Sequence, residues 1–145
     1  MENLILANAE LVRKVAHEQL GAPVQYDEDA VRWLDGYIDV LRDSASEEVK
    51  AKLPNTLGSF LGECIRQAYG GQWVKDPEDG WMVRITEDLS AHPFNKVAKH
   101  LASEDGESVL GFFTAIPPLL LFASNQKEGA GAIGKTGHRP WWKFW

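Results

Sequence analysis

The spacing of apolar residues predicts two helices in the first part of the chain. One covers residues 2–19, and the next begins after Asp27, whose carboxylate is a good acceptor for the amides of a first helical turn. In each segment apolar residues recur at steps of three and four, so they share one face of a helix. The predicted faces consist of Leu4, Ala7, Leu11 and Val15 in the first helix, with Val12 as a further candidate, and of Ala30, Leu34, Tyr37, Ile38 and Leu41 in the second.

A third helix is predicted downstream of Pro54. Residues 47–53 have the character of a short helical turn, which this proline is expected to stop. Asn55 can then cap a new helix, and the Gly70–Gly71 pair ends it. The apolar stripe of this helix consists of Leu57, Phe60, Leu61, Cys64, Ile65 and Ala68.

The hydrophobic period changes from 3.6 to 2 after this helix, which indicates a β-hairpin. Residues 72–75 form the first strand, and residues 81–86 alternate between apolar and polar on the return strand. Between them, residues 76–80 read Asp-Pro-Glu-Asp-Gly, in which proline fixes one φ angle and glycine supplies a positive one. This is the strongest β signal in the chain.

Two further helices are predicted after the hairpin. One begins at Pro93, which suits a first helical position. The other covers residues 109–116 and is expected to end before Pro117 and Pro118.

Together these elements predict one α+β domain, with four or five helices packed on a small antiparallel sheet centred on the hairpin at 72–86. The domain is expected to cover residues 1–122, and residues 123–145 read as a flexible, glycine-rich tail. The residues expected to line the core are Phe60, Leu61, Ile65, Trp73, Trp81, Val83, Phe94, Val97, Phe112 and Ile116.

Charge and cysteine content narrow the class of function. The 145 residues include 21 acidic and 15 basic side chains, for a net charge of −6. A protein that binds the phosphate backbone needs a basic field, so no nucleic-acid partner is expected. The single cysteine, Cys64, cannot form an internal disulfide, and the first residues lack the pattern of a signal peptide, so a cytoplasmic location is predicted.

The charge is unevenly placed. Residues 123–145 hold four basic side chains and one acidic one, a net +3, so the other 122 residues carry −9. The tail also contains a P-loop string, Gly129 followed after four residues by Gly134-Lys135-Thr136. Since no helix or further sheet is predicted to follow it, as phosphate binding requires, we interpret it as a chance match. No cofactor is expected.

A polar trio on the third helix is the one candidate ligand or partner site in the body. Ser59, Glu63 and Arg66 follow at steps of four and three, so they share a helix face beside the apolar stripe. Gly58 and Gly62 on the same helix predict the close approach of another element. One carboxylate without a partner acid is not a catalytic site, so no catalytic residue is predicted. No metal site is predicted either, because none of the four histidines has zinc-ligand spacing.

The tail ends in a cluster of aromatic and basic side chains that is a candidate for partner docking. Aromatic residues supply contact area in interfaces, and cations steer association. The alternatives are that the cluster packs on its own domain or that it lies on a membrane surface, where tryptophan is favoured. The cluster consists of Arg139, Trp141, Trp142, Lys143, Phe144 and Trp145.

Three motifs together resemble an uncharacterised bacterial domain family. They are LGxxLGE at residues 57–63, GGxW at residues 70–73, and the Pro93-Phe94 helix start. The resemblance covers residues 37–121 and implies a small bacterial α+β domain without an established activity. It carries over no catalytic residue.

The function predicted from the sequence is a non-enzymatic, adaptor- or immunity-like protein-interaction domain of a bacterium. Its partner is expected to be another protein, and a second copy of the chain is a further candidate. One alternative is an enzyme or small-ligand binder that uses Glu63 with Arg66 and Ser59. Another is a peripheral membrane protein that the tryptophan-rich tail anchors.

Overall fold

The computed structural model describes residues 2–103 and 108–129, with side chains as far as Phe122. These residues form five helices and one three-stranded antiparallel sheet, which confirms the α+β prediction. In chain order the elements are α1 (Glu2–Leu20), α2 (Glu28–Ser44), α3 (Glu47–Tyr69), β1 (Gln72–Asp76), β2 (Gly80–Arg84), β3 (Ser90–Ala91), α4 (Pro93–Ala102) and α5 (Val109–Gly129).

Helix α3 is the central element of the fold. Every residue from 57 to 65 is buried, because α1, α2, α4 and β2 pack around this stretch. The helix is continuous through Pro54, so the prediction of two separate segments was wrong. Its N-cap is Ser46, whose hydroxyl accepts a hydrogen bond from the amide of Val49. Burial on several sides outweighs the loss of one backbone hydrogen bond at an internal proline.

The buried face of α1 lies one residue away from the predicted face. The structure buries Ile5, Ala9, Val12 and Ala16 against α3, whereas Leu4 and Leu11 remain exposed. Since one residue corresponds to about 100° of helical rotation, the predicted stripe points away from the core. Both stripes are apolar in sequence, so the spacing alone did not separate them.

The hairpin forms as predicted, and a third strand extends the sheet. Trp73 pairs with Val83 across β1 and β2, and Val83 pairs with Ala91 of β3. In the turn, the carboxylate of Asp76 accepts hydrogen bonds from the amides of Glu78 and Asp79. Gly80 has a φ angle of +76°, as the turn requires.

Helix α5 continues through the Pro117–Pro118 pair to Gly129, so the prediction that it ends at residue 116 was wrong. A proline at position 117 leaves the carbonyl of Phe113 without its usual intrahelical donor. The hydroxyl of Tyr69, at the end of α3, donates a hydrogen bond to that carbonyl at 3.0 Å. The structure therefore compensates for the first of the two missing amides with a side chain from another helix.

The predicted core is confirmed with two qualifications. Trp81 and Phe94 are partly buried and pack at the edge of the core. The other eight predicted residues are buried: Phe60, Leu61, Ile65, Trp73, Val83, Val97, Phe112 and Ile116.

The two glycines of α3 allow close packing, as predicted. Phe94 at the start of α4 lies against Gly58, and the ring of Trp73 lies against Gly62. A Cβ atom at Gly62 would stand 2.1 Å from Cη2 of Trp73, far inside van der Waals contact. The hairpin and α4 are therefore held against α3 at positions where only glycine fits.

We predict that Gly62→Ala destabilises the protein by at least about 2 kcal/mol, because the indole of Trp73 would have to move from its site. The matched control is Gly36→Ala in α2, where the added methyl group would meet no atom within 4 Å. That control should raise the free energy of unfolding by about 0.5–1 kcal/mol, since alanine is the better helix former. Urea denaturation of both variants measures the difference, and equal effects of the two substitutions would contradict the packing assignment.

Candidate functional site

The carboxylate of Glu63 is enclosed at the junction of α3 and β1. Glu63 as a whole is only 3% exposed to solvent. Arg66 donates from Nε and Nη2 to the two carboxylate oxygens at 2.9 and 3.0 Å. The indole Nε1 of Trp73 donates to Oε2 at 2.9 Å. The carboxylate is thus held by one cation on its own helix and one neutral donor from the sheet.

This environment favours the ionised form of Glu63. Burial by itself would raise its pKa, but the hydrogen bonds from Arg66 and Trp73 and the positive charge of Arg66 outweigh burial and hold the pKa below the usual 4.5. A general base that works near neutral pH needs a raised pKa and a path to its substrate. The arrangement is that of a structural ion pair.

The predicted trio does not form one site. The hydroxyl of Ser59 is buried and donates to the backbone carbonyl of Asn55 at 2.7 Å. Gly62 lies between Ser59 and Arg66 on the same helix face, and the ring of Trp73 covers it. Glu63 and Arg66 are therefore brought together as predicted, whereas Ser59 faces a different part of the surface. The aromatic and basic cluster at residues 139–145 lies outside the described residues.

A cleft of about 270 Å³ opens on the side where Ser59 lies. We call it the α1–α4 cleft, because residues from the first turns of α1 and α4 line it, together with residues of α3 and β2. Among the described residues, the enclosed Nε1 of Trp81 in its wall has no hydrogen-bond acceptor. The residues that line the cleft are Leu4, Ile5, Asn8, Asn55, Ser59, Asp79, Trp81, His92, Phe94 and Asn95.

An exposed apolar stripe on α1 continues from this cleft. Leu4 and Leu11 are 55% and 56% exposed, and Ala7 is exposed between them. We call Leu4, Ala7 and Leu11 the α1 stripe. Leu4 is also part of the cleft wall, so the stripe and the cleft form one continuous surface.

The structure also contains a polar network that the sequence did not reveal. His100 of α4 is 3% exposed, and its Nε2 lies 2.9 Å from a carboxylate oxygen of Asp39 in α2. Its Nδ1 accepts a hydrogen bond from the amide of Val109, the first residue of α5. The next amide, that of Leu110, donates to Asp35 at 2.9 Å. His100 and Asp35 thus satisfy the free amides at the start of α5 and join three helices.

His100, Asp35 and Asp39 are close enough together to be considered as ligands of a cation. However, Nδ1 of His100 and the Oδ1 atom of Asp35 already accept backbone amides. Both hydrogen bonds begin helix α5, so the positions of His100 and Asp35 are explained without a cation. The donor set therefore fits a structural network better than a metal centre.

Cys64 has the character of a core residue. It is fully buried, and burial raises the pKa of its thiol well above the usual value. A reactive cysteine needs a lowered pKa and access to solvent. Among the described residues, the surroundings of this thiol provide neither a lowered pKa nor access to solvent.

Comparison with known proteins yields no relative from which a function could be transferred. No family model, no curated protein and no solved structure matches the chain. In the described residues, no helix is long and apolar enough to cross a membrane.

We predict that Glu63→Gln lowers the free energy of unfolding by about 1–3 kcal/mol at neutral pH, because Arg66 loses its ionic partner and Trp73 keeps only a neutral acceptor. The effect should depend on pH. The pKa of Glu63 is lower in the folded protein than in the unfolded chain, so its ionisation stabilises the fold above about pH 4.5. The difference between wild type and variant should therefore decrease as the pH falls through that range toward the folded pKa.

Chemical denaturation at a series of pH values measures this difference. Glu47→Gln on the same helix is the matched control, since that side chain is 93% exposed, and it should change stability by no more than a few tenths of a kcal/mol. A difference between wild type and Glu63→Gln that stays constant down to about pH 3 would contradict the assignment.

We predict that His100→Ala lowers the free energy of unfolding by about 2–4 kcal/mol, because it leaves the amide of Val109 unpaired and opens space in the core. His100→Asn keeps an acceptor near the position of Nδ1 and should restore about half of this loss. Thermal and urea denaturation of the two variants provide the comparison. Equal losses would show that the hydrogen bond to Val109 contributes nothing.

Proposed function

We propose that this chain is a non-enzymatic, cytoplasmic protein-interaction domain of a bacterium, of the adaptor or immunity type. The observation that carries the proposal is the α1 stripe and its continuity with the α1–α4 cleft. Single exposed apolar side chains are common on protein surfaces and need no explanation. Leu4 and Leu11 are different because they lie two turns apart on one helix face, and Leu4 also lines a concave surface.

The walls of the cleft support an interface with a peptide or protein. Trp81 and Phe94 are aromatic, and Leu4 and Ile5 add aliphatic surface. Interfaces are enriched in aromatic anchors that fill pockets. A volume of about 270 Å³ is slightly below the range of about 300–1,000 Å³ that is typical of small-molecule sites. It suits one or two inserted side chains better than a whole cofactor.

The geometry gives the enzyme alternative little support. Glu63 is buried and has its hydrogen bonds satisfied by Arg66 and Trp73. Ser59 reaches the cleft but donates its proton to a backbone carbonyl, and within the described part of the chain no titratable base bonds to it. The two side chains do not meet, as a shared acid–base or nucleophilic mechanism would require.

The test is affinity capture from the native cell with the wild-type chain and with the double variant Leu4→Ser/Leu11→Ser. We expect the double variant to lose at least about 90% of the captured partner, since two exposed anchors would be removed from the interface centre. Both residues are more than half exposed, so the variant should fold normally.

The matched control is Val40→Ser/Val49→Ser, which changes two apolar residues of similar exposure on α2 and α3. Its partner list should equal that of wild type. Capture that is unaffected by the change in the α1 stripe would overturn the proposal.

A further inference from the structure

The α1–α4 cleft combines apolar side chains with polar ones and one carboxylate. Leu4, Trp81 and Phe94 provide apolar surface, and the polar residues include His92 and three asparagines. Among the described residues, neither lysine nor arginine lines the cleft. Its charged residue is Asp79, in a turn that also carries Asp76 and Glu78. A segment that fits this surface would carry large apolar side chains with cations beside them.

The chain itself contains such a segment. Residues 139–145 read Arg-Pro-Trp-Trp-Lys-Phe-Trp, with four aromatic and two basic side chains and no acid. They belong to a tail of net charge +3, while the rest of the chain carries −9. The two surfaces are therefore complementary in both polarity and charge.

The segment is joined to α5 by enough residues to cross the domain. Helix α5 ends at Gly129, so 11 residues precede Trp141. Fully extended, 11 residues span roughly 36 Å, which is about the diameter of a domain of this size. Leu119 of α5 packs with Leu89, which precedes His92 of the cleft lining by three residues in the sequence.

We propose that residues 139–145 occupy the α1–α4 cleft of their own chain. An aromatic side chain of the segment enters between Leu4 and Phe94, and Arg139 or Lys143 lies beside the acidic turn at Asp79. A segment joined to its own domain by about 11 residues has an effective concentration in the millimolar range, so even a weak contact is largely formed within one molecule.

This inference goes beyond the proposed function. It holds whether or not the chain has a protein partner, and it has a consequence for any partner that uses the α1 stripe. Such a partner would have to compete with the chain's own aromatic segment. The cleft would then be masked until a tighter ligand displaces the segment.

The test is amide hydrogen exchange on the full 145-residue chain in two forms. The wild type is compared with Trp141→Ser/Trp142→Ser/Phe144→Ser/Trp145→Ser, which removes the aromatic rings and keeps both cations. We expect amide exchange in residues 3–11 and 79–82 to become about tenfold faster in the variant. This change corresponds to a wild-type segment that is bound in roughly nine molecules of ten, so that exchange proceeds from the remaining tenth. Exchange in α2 should not change.

A reciprocal measurement starts from the cleft. Leu4→Ser/Leu11→Ser in the full chain should speed tryptic cleavage after Lys143 several-fold, and Val40→Ser/Val49→Ser should leave the cleavage rate unchanged. Sedimentation velocity at the same concentrations should show a monomer in every case.

Three outcomes would overturn the proposal. The first is identical exchange in wild type and tail variant, or a change that maps away from the cleft. The second is protection only at concentrations where the chain dimerises, which would place the segment on a second copy. The third is absence of protection in solution, with tail-dependent flotation on phosphatidylcholine–phosphatidylserine vesicles. None of these outcomes depends on partner capture, so this proposal and the proposed function fail separately.

Discussion

The contact between Trp73 and α3 is the constraint on which most of this fold depends. The indole ring lies on Gly62, where no side chain larger than hydrogen fits, and its Nε1 donates to the buried carboxylate of Glu63. One residue of β1 thus supplies both apolar packing and the neutral hydrogen bond that a buried charge needs. Arg66 completes the arrangement from the next turn of the helix. The sheet is fixed to the helix by these three interactions acting together.

Side-chain hydrogen bonds also stabilise the fold where backbone groups of α5 lack their usual partners. The amides that begin α5 donate to His100 and Asp35, and the carbonyl left free by Pro117 accepts from Tyr69. A long helix with two internal prolines is costly in isolation. Here polar side chains from three other helices offset part of that cost. The position of α5 is therefore determined by side-chain hydrogen bonds as well as by its apolar face.

The sequence predicted local structure well where one residue type had one physical meaning. The turn at residues 76–80 and the glycines at 58 and 62 belong to this class, as does the pairing of Glu63 with Arg66. Prediction from the sequence failed where tertiary contacts decide between two equally apolar faces of a helix. On α1 two neighbouring apolar stripes compete, and packing against α3 selects the one with Ile5. Two other contacts could not be predicted from local sequence, because their partners are far apart in the chain. They are the hydrogen bond from Tyr69 to the carbonyl that Pro117 leaves free, and the contact of His100 with Asp39.

The features of this chain that support a function lie at its surface rather than in its interior. The pKa of Glu63 is lowered by partners that also enclose its carboxylate. The contacts that stabilise the ionised form therefore also keep a substrate from reaching it. Helix α1 buries mostly small side chains and leaves four leucines exposed, Leu4, Leu6, Leu11 and Leu20. The exposed leucines of α1 and the cleft that Leu4 lines are the observations on which the proposed interaction surface rests.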